Sequence, residues 1–249
     1  LLVWDFALPE EINCRGDIYN NSINHMEPAQ EIGYYQLARQ HRFQPGIVYY
    51  RPGLKLDGAK VSIDWEAYDE RLRAYLDGSA WTEARGYWGP GAGLPIDHLV
   101  LPFDCGKRPN RRNAWPARMP EGGPTAEFEE AWVETGRQVR EHFDADPHRR
   151  RVEKIVFLEG LDEAYTEEAY QQMVYYCELL RRGMGDGWFK HRIDGGFSRE
   201  AMEKLHRHVD LWICHTTGFD AETVAHFRPK GVETWFYGPM LLEERSNGA

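Results

Sequence analysis

The sequence predicts an α/β protein, a (β/α)8-type barrel over residues 1–249 in which the last unit is truncated or incomplete. Short apolar runs rich in strand formers alternate with amphipathic helical patterns along the whole chain. No Gly-rich fingerprint follows the first run, which argues against a doubly wound nucleotide-binding sheet. A length of 249 residues suits a barrel that folds as one domain with a sizeable core.

In order, Leu2 to Leu8 reads as the first strand, ended by Pro9. An Asn-rich loop with Asn24 and His25 follows. A helix begins near Pro28, a residue suited to the first turn, with Tyr34, Leu37, Ala38 and His41 on its inner face. Ile47 to Tyr50 reads as the second strand. The second helix runs from an Asp64 cap to Gly78 and carries Trp65, Tyr68, Leu72, Tyr75 and Leu76 on one stripe. After a Gly/Pro/Trp-rich loop, His98 to Phe103 forms the third strand, ending in Asp104. The Pro-rich segment Cys105–Pro124 is long enough to serve as a lid. The third helix starts near Thr125, with Phe128, Trp132, Thr135, Val139 and Phe143 inward. His148-Arg149-Arg150-Arg151 reads as a solvated turn.

The fourth strand is Ile155-Val156-Phe157-Leu158. Its helix runs from about Thr166 to Arg182, burying Tyr170, Met173, Val174, Cys177 and Leu180, and the Gly183–Gly187 run stops it. Shorter units follow: strands at Trp188–Ile193, Leu211–Cys214 and Val232–Tyr237, with helices capped by Ser198 and Asp220. No eighth unit is visible in Met240–Ala249. The chain opens without Met inside an apolar run, so a fragment or a processed chain with residues upstream is the expectation.

The net charge of -10 argues against nucleic acid as a partner. No apolar run approaches the length of a membrane span. The aromatic share of 13% suits sugar rings, though aromatics also fill cores. Cys14, Cys105, Cys177 and Cys214 lack zinc spacing; buried free thiols are the reading for Cys177 and Cys214, and a Cys14–Cys105 bridge between loops stays open without support. No cofactor is expected. No HxH, HExxH, GxSxG or P-loop pattern occurs, while His98, His191 and His215 on strands leave a metal-dependent hydrolase open.

Barrel active sites lie at the C-terminal ends of the strands. That rule selects Asn24 and His25, Tyr50 and Arg51, Asp104, Asp162 and Glu163, His191 and Asp194, His215, and Trp235 with Tyr237. Most have a plain reading beside the functional one. Tyr50 and Trp235 also suit a core, Asp104 a loop cap, His191 a strand edge, and Asp194 before two glycines a turn. Asp162 and Glu163, with Glu159 close by, are harder to dismiss. They stand too far before Thr166 to serve its helix dipole. Crowded carboxyls raise one another's pKa, so one is expected charged and its neighbour protonated, both inside one water-shielded cup. Adjacent side chains on a regular strand point to opposite faces, but at an irregular strand end both can turn into the mouth.

The stretch VFLEGLDEAYTEEAYQQM resembles the strand-end acidic segment of the glycoside hydrolase family 123 catalytic domain. VWDFALP and WFYGP resemble that family's first and seventh strand motifs, in the same order. The resemblance implies a retaining β-N-acetylgalactosaminidase, or more broadly a β-N-acetylhexosaminidase, acting on external glycans in an extracellular or periplasmic setting. The 2-acetamido oxygen of the substrate would attack the anomeric carbon and form an oxazolinium ion. By position, Asp162 would accept the amide N–H, and Glu163 would protonate the leaving oxygen and then deprotonate water. Asn24, His25, Tyr50, Asp104, His215, Trp235 and Tyr237 are the substrate-binding candidates, with Tyr237 donating to the acetamido oxygen and Trp235 stacking on the sugar. Competing readings are a conventional retaining glycosidase pairing Glu163 with Asp104 or Glu159, and a non-catalytic glycan-binding barrel.

Overall fold

The computed structural model describes residues 12, 14–17, 26–46, 50–106 and 114–238. The chain divides into two compact units, each built from several segments. Among the described residues are nine strands and seven α-helices. They include a five-stranded parallel sheet, so the chain is a mixed α/β protein.

The first unit comprises residues 1–52, 64–100 and 145–153. Strands β1 (Cys14–Asp17) and β2 (Phe43–Gly46) pair in parallel. Helix α1 (Pro28–Gln40) begins at the proline expected to start it. Its buried face is Glu31, Tyr35, Gln36 and Arg39, not the Tyr34–Leu37–His41 face that apolar spacing suggests; Leu37 is 53% exposed. The reason is a buried polar network. Arg71 and Tyr75 on α2 (Glu66–Leu76) both donate to the Glu31 carboxylate, and Gln36 donates to the Ala80 carbonyl at 2.7 Å. Helix α2 buries Tyr68, Leu72, Tyr75 and Leu76 as its stripe predicts. Ring contacts link Tyr35, Tyr75, Trp81 and Tyr87, and the Arg39 guanidinium lies 4.6 Å over Trp81. The second predicted strand is displaced: β2 lies before Ile47, and residues 47–49 fall outside the described residues. The basic run is not a turn but the short helix α4 (Pro147–Arg151), capped by Asp146, whose carboxylate accepts from the amides of His148 and Arg149.

The second unit comprises residues 53–63, 101–144 and 154–249. Strands β3 (Gly53–Asp57) and β4 (Lys60–Asp64) form a hairpin that the sequence reading passes over. Helix α3 (Ala126–Asp144) buries every residue of its predicted stripe. Helix α5 (Glu167–Met184) starts at Thr166, whose hydroxyl accepts from the Ala169 amide. The Gly183–Gly187 run stops α5 as expected, with Gly185 as its C-cap. Gly183 itself lies in the last turn, where α5 meets α3 at Gly136, and a Cβ on Gly183 would lie 2.3 Å from the Val133 carbonyl oxygen.

The sheet is ordered consecutively as β5 (His98–Leu101), β6 (Glu153–Phe157), β7 (Lys190–Asp194), β8 (Leu211–His215) and β9 (Glu233–Tyr237). Helices α5, α6 (Arg199–Leu205) and α7 (Ala221–Phe227) connect β6 to β9 in turn. The register sorts side chains onto two faces, because successive residues alternate. One face carries Phe157, Arg192, Ile213 with Asp194, and His215 beside Tyr237. The other carries Val156, His191, Trp212 and Cys214, all buried. His191 Nδ1 and Cys177 Sγ both meet the His208 carbonyl oxygen on this second face. The four cysteines are free thiols, with Cys14 exposed and the others buried; burial pushes the Cys177 thiol up to about 12 and that of Cys214 to about 11. Among the described residues no helix is long and apolar enough to cross a membrane.

Candidate functional site

The parallel strands of the second unit end on one rim, and the polar residues of interest leave from those ends. After β6 the chain makes a short 3-10 turn, Glu159–Leu161, and then presents Asp162 and Glu163. Asp162 caps that turn, its amide bonded to the Glu159 carbonyl at 3.1 Å, and it is half-buried. Glu163 then adopts φ 50°, a left-handed conformation that costs a non-glycine residue about 1 kcal/mol or more. The other described non-glycine residue with positive φ is Arg42, which closes α1, where such conformers are common. The Glu163 amide donates to the Asp194 carbonyl at the end of β7, at 3.3 Å.

The Glu163 carboxylate accepts a hydrogen bond from the Tyr237 hydroxyl at the end of β9. The imidazole of His215, from the end of β8, meets the Tyr237 ring edge-on at 4.9 Å and pairs through Nδ1 with the Thr217 hydroxyl at 2.5 Å. Burial raises the Tyr237 phenol, and the Glu163 bond with the Glu163 and Asp162 charges raises it further. Burial also raises the Tyr165 phenol; the Gly196 amide opposes this, and both acids add to it. The charges of both acids thus reach both tyrosines. Tyr237 therefore stays a hydrogen-bond donor across the neutral range.

The mouth differs from the water-shielded cup that the sequence suggests. Glu163 is exposed and Tyr165 is 52% exposed, so the described residues leave the carboxyl open to solvent. Glu159 belongs to the frame instead, at 4% exposed. Asp104 is likewise only 2% exposed, and its Oδ1 accepts from the amides of Gly106 (2.9 Å) and Gly160 (3.1 Å). It pins the loop after β5 to the turn after β6, the plain reading of a loop cap. Two backbone bonds between Asp104 and Trp115 close the base of the long loop, whose residues 107–113 lie outside the described residues.

Trp235 lies two residues before Tyr237 on the same face, and its indole N–H donates to Glu233 at 2.7 Å. Tyr50 belongs to the first unit, where the Arg71 guanidinium donates to its hydroxyl at 3.4 Å. Asn24 and His25 lie outside the described residues. His191 is fully enclosed, and burial lowers its pKa to about 4, although the His208 carbonyl opposes this. It is a core histidine, neither a strand edge nor a wall of the mouth. Among the described residues no group of three His, Cys, Asp or Glu is arranged to hold a metal ion.

Two contributors escape the motif search. Tyr165 accepts from the Gly196 amide at 3.2 Å and leans on Phe197 at 5.1 Å, joining the loops after β6 and β7. Arg192 forms a two-pronged pair with Asp194, both bonds at 2.7 Å. Its signal is in the sequence: Lys190, Arg192 and Asp194 alternate along a strand that should be apolar. No family model matches the chain, and no curated protein matches it. The fold and site thus define a mixed α/β protein with a carboxylate–tyrosine cluster on the C-terminal rim of a parallel sheet.

Proposed function

We propose that the protein is a glycoside hydrolase that removes terminal β-linked N-acetylgalactosamine, or N-acetylhexosamine, with retention and with help from the substrate's own acetamido group. The observation that carries the reading is the hydrogen bond from Tyr237 to the Glu163 carboxylate, with Asp162 next to Glu163 at the same strand end. The finer fold reading, a (β/α)8-type barrel, rests on the consecutive parallel strand order. Right-handed crossovers in that order put all connecting helices on one side and turn the Arg192–Asp194–Tyr237 face inward.

In this reading Asp162 accepts the acetamido N–H and steadies positive charge as the oxazolinium ring closes. Glu163 gives a proton to the leaving oxygen and later takes one from water. The route belongs to the substrate-assisted exceptions to two-carboxylate hydrolysis. Tyr237 releases Glu163 when the leaving group arrives and turns its hydroxyl toward the acetamido oxygen. The bound sugar itself supplies the water exclusion that the open mouth lacks. Tyr165, half-exposed at the rim, offers a ring face for stacking, whereas Trp235 is tied to Glu233.

The test is hydrolysis of aryl β-N-acetylgalactosaminides by the protein and its variants. Glu163→Gln is expected to lose at least about 100-fold in kcat, within the span of general acid–base catalysis. Asp162→Asn should lose a comparable factor. Full activity in Glu163→Gln would remove the proposed acid. The conventional retaining alternative is disfavoured because Asp104 and Glu159, its proposed nucleophiles, are buried. Turnover of plain galactosides would revive it, and glycan binding without turnover would leave a lectin-like module.

A further inference from the structure

We infer that Arg192 and Asp194 are positioning residues for Glu163: they fix the end of β7 so that the Asp194 carbonyl holds the Glu163 amide and, with it, the left-handed backbone that aims the carboxyl at Tyr237. The inference rests on the hydrolase reading for its kinetic consequence, but its geometry stands apart from it.

The pair is nearly enclosed, with the Arg192 and Asp194 side chains 6% and 13% exposed. The Arg192 Nε donates to Asp194 Oδ1 and its Nη2 to Oδ2, each at 2.7 Å. The guanidinium also lies 4.4 Å over the Phe157 ring, at the end of β6, the strand that delivers the acids. Just beyond Asp194, Gly195 is held at both backbone groups. Its amide donates to the Ile213 carbonyl at 2.9 Å, and its carbonyl accepts from the Trp212 indole at 2.7 Å. A Cβ on Gly195 would meet the Tyr165 hydroxyl at 2.6 Å, so the loops from β6 and β7 are in direct contact there.

The bond within the pair joins residues two apart on one strand, so it adds little as a cross-link. Taking two charges out of water costs about as much as their attraction returns. What a forked arginine–carboxylate pair supplies is orientation, because its two parallel bonds fix the carboxylate plane. Here the fixed group belongs to the residue whose carbonyl anchors Glu163.

The experiment compares the protein with Asp194→Asn, Arg192→Met and Arg192→Lys, after denaturation curves have established that each folds. Two readouts are taken: kcat and KM on an aryl β-N-acetylgalactosaminide, and hydrogen exchange at the Glu163 amide against the Ile155 and Val156 amides. We expect Asp194→Asn and Arg192→Met to lose roughly tenfold or more in kcat with KM within about twofold, as for a displaced reacting group. Glu163 exchange should quicken while the β6 amides hold. Arg192→Lys should not restore kcat, since a single ammonium cannot make the fork. Unchanged kcat and unchanged Glu163 exchange in folded variants overturn the inference and leave the hydrolase reading intact. If the unaltered protein turns over no acetamido-glycoside, the hydrolase reading falls, and exchange alone decides: faster Glu163 exchange upholds the positioning role, unchanged exchange overturns it. Should Arg192→Met fail to fold, Asp194→Asn preserves side-chain volume and carries the comparison.

Discussion

Glu163 holds a left-handed backbone without being glycine, and its amide and carboxylate are engaged by two different strand ends. Asp104, another acid at a strand end, has the opposite task. Its carboxylate is spent on two backbone amides inside the frame. Asp104→Ala should therefore cost about 2–4 kcal/mol, because two amides lose their acceptor. Urea denaturation with an unchanged m-value checks this, and Asp104→Asn, which keeps one acceptor oxygen, should lose less. The contrast marks the limit of reading single residues. Both acids follow a predicted strand and precede a loop, so position along the chain gives them equal standing. Only the fold separates them: one carboxylate meets amides and the other a phenol. Asp162 and Glu163 stand out in the sequence as crowded acids just after a strand, and the fold adds the bond from Tyr237 to Glu163. Arg192 stands out less, since a charged residue alternating within an apolar run reads first as an exception to the pattern.

At the scale of elements, apolar period was a sound guide where burial is apolar. Helix α3 buries its predicted stripe whole, and Met173, Cys177 and Leu180 of α5 are buried as expected. The same logic failed on α1, whose inner face is Glu31, Gln36 and Arg39 beside Tyr35. Hydrogen bonds, not transfer from water, select that face, and periodicity of apolar residues is blind to it. The β3–β4 hairpin did carry a signal, Asp57-Gly58 between alternating Leu and Val/Ile, which is a recognised turn sequence. Two glycines inside helices give a paired prediction. Gly33 in α1 has nothing within 4 Å of an added Cβ, so Gly33→Ala should stabilise by about 0.5–1 kcal/mol. Gly183 in α5 sits against Val133 and Gly136, so Gly183→Ala should destabilise by about 1–3 kcal/mol. Thermal unfolding of the two variants should move in opposite directions.

For the molecule as a whole, the buried His191 sets an acid limit. Its folded form titrates at about 4 against an ordinary value of 6.5, because burial disfavours the imidazolium. The unfolded chain thus binds the proton first as pH falls, and stability drops between about pH 6.5 and pH 4, then levels off for this group. The full loss is roughly 3 kcal/mol, with about 2 kcal/mol gone by pH 5. Denaturation at pH 7 and pH 5 should show the difference, and His191→Gln should shrink it. The fold class was legible across the chain because alternating strand and helix patterns admit few architectures. The strand order required coordinates. Its consequence reaches beyond the rim. The turns that follow β6, β7 and β8 lie at the same ends of the strands, while His191 and Cys214 occupy the opposite, buried face. Substitutions in those turns can thus change the rim while leaving the acid tolerance set by His191 nearly constant. A mutant library confined to the rim should retain an unusually high fraction of soluble, foldable clones.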